Sequence, residues 1–414
     1  MIASAERLER GPIPTPRRLG VLGCMLAATA FWIALPPVHA RSIVWPIVFG
    51  AAAVVVGLWT ARDLPRLGRT AAVSGVLCVA LGIIATRSSV GHLEDVFGGG
   101  DQAWSALIAT GLVFATPLIF AAIGGLFSER SGVVNIGLEG MMLMGCFWGI
   151  YGADKTGSWV AGVLVGMGSG GLLALIHAFF AIHLRSDQIV GGTAINFLAL
   201  GVTGYFFYQL YGGNNVGGSV PGIPNLQISF LKHIPPGGLG QWVYTAFGNL
   251  DYLIWVGFLV VVLAWLVMFK TPLGLRIRAC GEHPRAADTV GINVYAVRYA
   301  SVVTSGMLAA AGGAYLSLGA LQGTFNENMT SGRGFIALAA LIFGNWRPFG
   351  AFGAALLFGF SEQVALNMQT YNNSLPGIGI LINILPYVLT LIAVAGVIGR
   401  STPPAAVGRP YKKQ

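Results

Sequence analysis

The chain carries too few charged residues to cover the surface of a soluble protein of its size. Asp, Glu, Lys and Arg make up 9% of its 414 residues, whereas a typical soluble domain has about 25%. Hydrophobic residues make up 55%. This composition excludes an ordinary soluble enzyme and an intrinsically disordered chain. It fits a membrane protein whose apolar residues occur in runs of about 20, the length that a helix needs to cross the hydrocarbon.

Apolar runs near that length recur along the sequence and predict an all-α polytopic membrane protein with about twelve segments. The segments are 19–40, 43–61, 70–86, 105–126, 134–151, 159–182, 189–211, 252–269, 297–320, 332–345, 350–366 and 378–398. The fifth and the tenth are short or interrupted by glycine. Such segments could be re-entrant or broken helices, which membranes tolerate where protein covers the exposed backbone. Ten spans with two re-entrant elements is therefore an open alternative.

The positions of the positive charges predict the orientation of the chain. With twelve spans both termini lie on one side of the membrane, and 19 of the 24 Lys and Arg residues fall on that side. Cytoplasmic loops are enriched in Lys and Arg, so we expect cytoplasmic N and C termini. Five of the 19 lie in a single inner loop, at about 270–297.

Sequence motifs of enzymes and metal sites are missing. No Lys follows a Gly, so the phosphate-binding pattern GxxxxGK[ST] does not occur, and the chain cannot hydrolyse ATP through it. Neither GxSxG nor HExxH is present, and the four cysteines form no CxxC pair. The sequence predicts no catalytic residues, no metal ligands and no cofactor bound by this chain.

Polar side chains within or near the predicted segments are few, and such groups commonly mark transport pathways. The candidate pathway-lining residues are Asn135, Glu139, Asn196, Asn326, Glu327 and Glu362. An alternative is that Glu139 and Glu362 pair locally or accept hydrogen bonds from a broken helix. An ion-coupled secondary carrier is an alternative class of function. Such a carrier needs buried carboxylates to bind its coupling ion, and the sequence offers only two clear candidates, Glu139 and Glu362, so this alternative is the weaker one.

The inner loop is the most informative segment of the sequence. Gly274, Gly281, Pro284 and Gly291 punctuate it around Arg285-Ala-Ala-Asp288, which predicts a short helix on the cytoplasmic face. A membrane protein without an ATPase motif could use such a helix to dock an ATPase. The alternative is a basic loop that only enforces the topology.

Five stretches in this chain resemble the permease subunits of ABC importers for branched-chain amino acids, simple sugars and nucleosides. In the inner loop they are RACGEHP at 278–284 and AADTVGIN at 286–293. The stretch GLFSERSGVVNIGLEG at 125–140 is most similar to the nucleoside-uptake branch, and DQIVG at 187–191 and GFIALAALIFG at 334–344 also match. The resemblance covers about 105–400.

The resemblance implies one half of an ATP-driven translocation pathway in the bacterial cytoplasmic membrane. It implies a permease domain at 105–400. The N-terminal extension at 1–104, with about three predicted transmembrane helices, lies outside the resemblance, because members of the family usually start with fewer spans. Residues 401–414 are expected to form a cytoplasmic tail. The expected partners are a cytoplasmic ABC ATPase that binds ATP and Mg, a second similar permease, and an extracytoplasmic substrate-binding protein or lipoprotein; no nucleic acid is expected. Nucleosides are the expected substrates, with sugars and branched-chain amino acids as alternatives. The residues expected to couple to the ATPase are Arg278, Gly281, Pro284, Arg285, Ala286, Ala287 and Gly291.

Overall fold

The computed structural model describes most of the chain and divides it into two compact units. The described residues are 19–20, 22–27, 44–87, 102–213, 220–233, 241, 243–371 and 402–413. The first unit contains the described residues before Ala106 and the described residues 367–371, and the second contains Ala106–Leu366 together with the C-terminal tail. The tail therefore packs within the second unit, and the division at 104 and 400 remains a prediction. The predicted segment at 378–398 lies outside the described residues.

The first unit contains two packed apolar helices, α1 (Val44–Thr60) and α2 (Pro65–Arg87). A four-residue connection joins them, and glycines allow their backbones to approach closely. A Cβ atom on Gly57 would lie 2.6 Å from the backbone nitrogen of Ala72, and one on Gly68 would lie 2.2 Å from that of Ala61. These helices agree with the predicted segments at 43–61 and 70–86. Of the first predicted segment, 19–20 and 22–27 are described and are helical.

The second unit is built almost entirely from helices. Its helices are α3 (Gln102–Arg130, which begins in the first unit), α4 (Leu138–Thr156), α5 (Trp159–Ala178), α6 (Gln188–Tyr211), α7 (Tyr252–Lys270), α8 (Pro272–Glu282), α9 (Pro284–Thr289), α10 (Val294–Tyr315), α11 (Arg333–Phe343) and α12 (Pro348–Tyr371). The π-helical turns Phe179–His183 and Leu316–Ala320 extend α5 and α10. Between α6 and α7, strands β1 (Asn225–Gln227) and β2 (Asn249–Asp251) form an antiparallel pair.

Among the residues that the structure describes, five helices are long and apolar enough to cross a membrane. They are Ser105–Arg130, Trp159–His183, Gln188–Tyr211, Tyr252–Lys270 and Val294–Ala320. The two segments that the sequence marks as doubtful behave differently. The first residues of the fifth, 134–137, belong to a non-helical stretch at 131–137 before α4, and the tenth forms α11, which has only 11 residues. The count of twelve segments and the cytoplasmic termini remain predictions.

Helices α4, α5 and α10 form the centre of the second unit, where small residues bring their backbones into contact. A Cβ atom on Gly145 would lie 2.1 Å from the carbonyl oxygen of Ala310, and one on Gly313 would lie 1.9 Å from that of Met142. Close approach through small residues is the usual way in which membrane helices pack. Some of the chain's 60 glycines therefore allow this close contact between helices.

This contact predicts an unequal response to two identical substitutions. Gly145→Ala forces α4 away from α10, and overpacking of this kind typically costs about 1–3 kcal/mol. Gly168→Ala is the matched control, because a Cβ atom on Gly168 would meet nothing within 4 Å. We expect the thermal midpoint of the purified protein to fall for the first variant and to stay within about 1 °C for the second. Equal thermal midpoints for the two variants would contradict the close packing of α4 against α10.

Candidate functional site

The non-helical stretch 131–137 is buried, and side chains from distant elements satisfy its backbone. The backbone nitrogen of Val134 donates to Oε1 of Gln188 at 2.8 Å, and the carbonyl oxygen of Val134 contacts Nε2 of His177 at 3.0 Å. The side-chain amide of Asn196 donates to the carbonyl oxygen of Ile136 at 3.1 Å. Irregular backbone within a membrane protein requires such partners. The stretch is therefore a non-helical break between α3 and α4 that surrounding side chains stabilise.

Glu139 joins the beginnings of two helices. It lies in the first turn of α4, is only 8% exposed, and accepts hydrogen bonds from the backbone nitrogens of Gly332 at 2.7 Å and Gly334 at 2.6 Å. Those two nitrogens belong to the start of α11. Helix N-termini carry partial positive charge and unpaired N–H groups, so one carboxylate stabilises both helix ends. We call this contact, with residues 135–140 and 330–334, the helix junction.

Two asparagines support the α4 side of the helix junction. Oδ1 of Asn196 accepts from the backbone nitrogen of Gly140 at 2.8 Å. Nδ2 of Asn135 donates to the hydroxyl of Ser305 on α10 at 3.0 Å, while Oδ1 of Asn135 is buried with no hydrogen-bond partner among the described residues. The amide groups therefore hold the start of α4 against α6 and α10.

An ion pair supports the α11 side of the helix junction. The guanidinium of Arg333 donates to the carboxylate of Glu362 on α12, and also to the carbonyl oxygen of Met329 at 3.1 Å. The Arg333 and Glu362 side chains are 16% and 23% exposed. Glu362 is thus paired with Arg333 and Glu139 accepts hydrogen bonds from the start of α11. These contacts correspond to the alternative drawn from the sequence, in which the glutamates have partners within the chain.

The structure brings four of the six candidate pathway residues together and separates the other two. Asn135, Glu139 and Asn196 surround the start of α4, and Glu362 joins them through Arg333. Asn326 and Glu327 lie exposed on the loop after α10. Sequence reasoning missed Gln188, Ser305 and Arg333 as members of this network. Whether any of these residues lines a pathway remains a prediction.

The inner loop folds into two helices, α8 and α9, where the sequence predicts one. Thr271 caps α8 by accepting from the backbone nitrogen of Gly274 at 3.2 Å, and Pro284 occupies the first position of α9. The positive φ of Gly291 (86°) forms the turn that leads to α10. Proline at a first helical position is favourable, so Pro284 separates the two helices.

The seven residues expected to couple to the ATPase divide into exposed and internal positions. Arg285, Ala286 and Gly291 are exposed, and Arg278 and Pro284 are half-buried. Ala287 is only 3% exposed, and a Cβ atom on Gly281 would lie 2.1 Å from the carbonyl oxygen of Arg130. A direct contact with a partner can therefore use the exposed side of α9, but not Gly281 or Ala287. The coupling role itself remains a prediction.

The C-terminal tail lies against these helices and is held by a buried arginine. Arg298, 1% exposed, donates to the carbonyl oxygens of Ser131 at 3.1 Å, Arg409 at 3.3 Å and Cys280 at 3.5 Å. The backbone nitrogen of Ala406 also donates to the carbonyl oxygen of Gly281 at 2.8 Å. The guanidinium thus ties the broken stretch, the inner loop and the tail together.

Cys280 reports on whether the tail is in place. Its side chain packs in a buried cluster with Ala287, Val294 and Tyr411 of the tail, and burial raises the pKa of the thiol to about 11. At pH 8 a thiol with that pKa is about 0.1% thiolate, whereas one with a pKa near 8.5 is about 24%. We therefore expect maleimide to label Cys280 more than 100-fold more slowly than an exposed cysteine.

Removing residues 402–414 should expose Cys280 and accelerate its labelling at least tenfold. The measurement uses a variant that carries Cys24→Ser and Cys78→Ser, so that only Cys146 and Cys280 remain. Cys146 is the internal control because it is buried on α4. Slow labelling of Cys280 after truncation would show that the tail does not cover it. Acceleration of both cysteines would indicate unfolding instead.

No group of three or more His, Cys, Asp or Glu residues that could hold a metal ion occurs in the part of the chain that the structure describes.

Comparison with known proteins adds a family and several relatives. The family described as branched-chain amino acid transport system / permease component matches residues 107–394. The guanosine ABC transporter permease protein NupQ of Bacillus subtilis is 43% identical over 322 residues, which cover 75% of this chain and 98% of the relative. The nucleoside ABC transporter permease protein NupC of Lactococcus lactis is 40% identical over 321 residues, which cover 74% of this chain and 96% of the relative.

A third relative carries a different substrate in its name. The protein of Haloferax volcanii provisionally named glucose ABC transporter permease protein TsgC13 is 38% identical over 265 residues, which cover 63% of this chain and 77% of the relative. No solved structure gives a significant match to the chain.

Proposed function

The chain belongs to the family of permease components of branched-chain amino acid transport systems, and we propose that it is the permease subunit of an ATP-driven nucleoside importer. The observation that carries the proposal is the match to NupQ and NupC, whose names specify guanosine and nucleosides and which the chain covers almost end to end. The chain is a transport component, and ATP hydrolysis belongs to a separate subunit.

The helix junction is the part of the chain best suited to a translocation pathway. Broken helices whose N-termini converge are a recurrent way to build a polar site between membrane helices. Here the carboxylate of Glu139 occupies both helix ends, and Asn135 and Asn196 add neutral amides. A nucleoside is uncharged and presents hydroxyl and base groups, so amide side chains are suitable partners for it.

The exposed side of α9 is the proposed contact for a cytoplasmic ABC ATPase, which would bind ATP and Mg. The chain would form half of the pathway, with a second, similar permease forming the other half. An extracytoplasmic substrate-binding protein or lipoprotein would deliver the nucleoside. We expect this assembly in the bacterial cytoplasmic membrane, and the distribution of Lys and Arg supports cytoplasmic N and C termini.

Reconstitution tests the substrate and the energy source together. The chain, expressed with the ATPase, second permease and binding protein of its own gene neighbourhood, should import radiolabelled guanosine into proteoliposomes only when ATP is enclosed. Excess unlabelled nucleoside should compete, and leucine should not. Import that continues without ATP and stops when an ion gradient is dissipated would overturn the proposal in favour of a secondary carrier.

One observation favours a second candidate substrate. TsgC13, named for glucose, is 38% identical to this chain, so hexoses belong in the same experiment. Import of glucose without import of guanosine would support an ATP-driven permease whose substrate is a hexose and not a nucleoside.

A further inference from the structure

A cavity of about 240 Å³ lies at the start of α6, between the loop 185–187 and the C-terminal tail. Arg185, Ser186 and Gln188 form one side of its wall, and Gly408 and Pro410 of the tail form another. We propose that this cavity binds a phosphate group, carried by an anionic phospholipid of the inner leaflet or by a soluble phosphate. The proposal does not depend on which substrate the permease moves.

Gln188 supplies a buried donor without a partner. The residue is 4% exposed, and its Oε1 accepts from the backbone nitrogen of Val134 at 2.8 Å, which fixes the orientation of the amide. Its Nε2 then has no hydrogen-bond partner among the described residues. Buried polar groups nearly always have a partner, and Gln188 lines the cavity, so an acceptor atom of a bound ligand would complete its hydrogen bonding.

Arg185 supplies the charge. Its side chain is exposed, and it forms no ion pair with any residue that the structure describes. Its backbone has a φ of 52°, a left-handed conformation that a long side chain rarely adopts. The planar guanidinium presents several donors in the geometry that matches phosphate oxygens.

The remaining groups favour an anion over a cation. Asp187 is the acid in the wall, and its Oδ1 already accepts from the backbone nitrogens of Ile189 at 2.8 Å and Val190 at 3.1 Å. It therefore neutralises the N-terminus of α6, so the argument rests on Arg185 and Gln188 and not on that helix end. The hydroxyl of Ser186 donates to the carbonyl oxygen of Phe180. The tail brings further positive charge with Arg409, Lys412 and Lys413, all exposed.

The size and position of the cavity select the ligand class. A volume of about 240 Å³ accommodates a phosphate and the first atoms attached to it. The sequence predicts that this loop faces the cytoplasm, where basic pockets of membrane proteins bind anionic headgroups. Because the tail forms part of the wall, an occupied cavity would also hold the tail in place.

Two substitutions remove the two donors without changing the backbone. Arg185→Asn keeps a residue that tolerates the left-handed conformation. Gln188→Glu keeps an acceptor for Val134 and replaces the free donor with an anionic oxygen. Arg62→Asn, which removes an exposed arginine of the connection between α1 and α2, is the matched control. Should Gln188→Glu fail to fold, Arg185→Asn decides alone, because its side chain is exposed.

The full chain is purified, delipidated and tested with two probes. Phosphatidylglycerol or phosphatidylcholine is titrated and retention is measured by native mass spectrometry, and inorganic phosphate is titrated calorimetrically. We expect at least tenfold weaker binding for Arg185→Asn and Gln188→Glu and no change for Arg62→Asn. Selective retention of phosphatidylglycerol identifies the lipid source, and binding of inorganic phosphate identifies the soluble source. Failure of both probes, or equal binding by all variants, would overturn the proposal.

Discussion

Replacing Glu139 by Ala should abolish substrate uptake while leaving the protein in the membrane. The carboxylate accepts from the backbone nitrogens of Gly332 and Gly334, and both bonds are short and mostly buried. A hydrogen bond to a charged group contributes about 1.5–3 kcal/mol, so the helix junction loses about 3–6 kcal/mol. The start of α11 then separates from α4. We expect uptake to fall more than tenfold and the thermal midpoint to decrease.

Two further variants separate this explanation from a general loss of charge. Glu139→Gln retains one acceptor oxygen and places an amide N–H₂ group against the second backbone nitrogen, so an intermediate loss of uptake is expected. Asp63→Ala removes an exposed carboxylate and should leave uptake unchanged. Wild-type uptake and stability in Glu139→Ala would show that the helix junction does not depend on this carboxylate.

The sequence predicted the helical fold because its signal is local. Long apolar runs and scarce charges are visible in any window of about 20 residues, and most predicted segments of the second unit coincide with helices. The sequence also marked the fifth and tenth segments as candidates for re-entrant or broken helices. The backbone is non-helical at 131–137, but α4 continues through Gly140, Gly145 and Gly149, and α11 is a short helix of 11 residues.

The partners of Glu139 could not be read from the sequence. They lie 193 and 195 positions away, and no periodic pattern encodes a contact at that separation. The sequence therefore left two roles open for the residue, and the hydrogen bonds show that it caps a helix. Gln188 and Ser305 were missed for the same reason, because their hydrogen-bond partners lie 54 and 170 positions away, respectively.

The inner loop shows a second limit of sequence reasoning. The family resemblance placed Gly281 and Ala287 among the residues expected to couple to the ATPase. In the structure the chain's own atoms need the space beside them: the carbonyl of Arg130 meets Gly281, and Tyr411 of the tail packs near Ala287. A small residue indicates a close neighbour but does not say whether that neighbour is internal.

Replacing Val290 by Glu should separate the permease from its ATPase without unfolding it. Val290 follows α9 directly and is 73% exposed, so the chain itself gains little from the side chain, and surface substitutions usually change stability by less than about 0.5 kcal/mol. Burying an unpaired carboxylate in an interface costs several kcal/mol, and each 1.4 kcal/mol weakens binding tenfold. We expect co-purification of the ATPase and ATP-driven uptake each to fall more than tenfold, with normal membrane insertion.

Two matched variants decide whether the loss reflects docking. Leu64→Glu makes the same change at an exposed apolar residue, 37% exposed, in the predicted inner connection between α1 and α2, and it should retain the ATPase. Ala287→Glu places the charge in the buried cluster with Cys280 and Tyr411, so it should lower the thermal midpoint as well as the uptake. An intact complex with Val290→Glu would exclude the C-terminal end of α9 from the contact. Loss of the ATPase at constant thermal midpoint in Val290→Glu alone would locate the contact there, because only that variant changes an exposed surface of the inner loop.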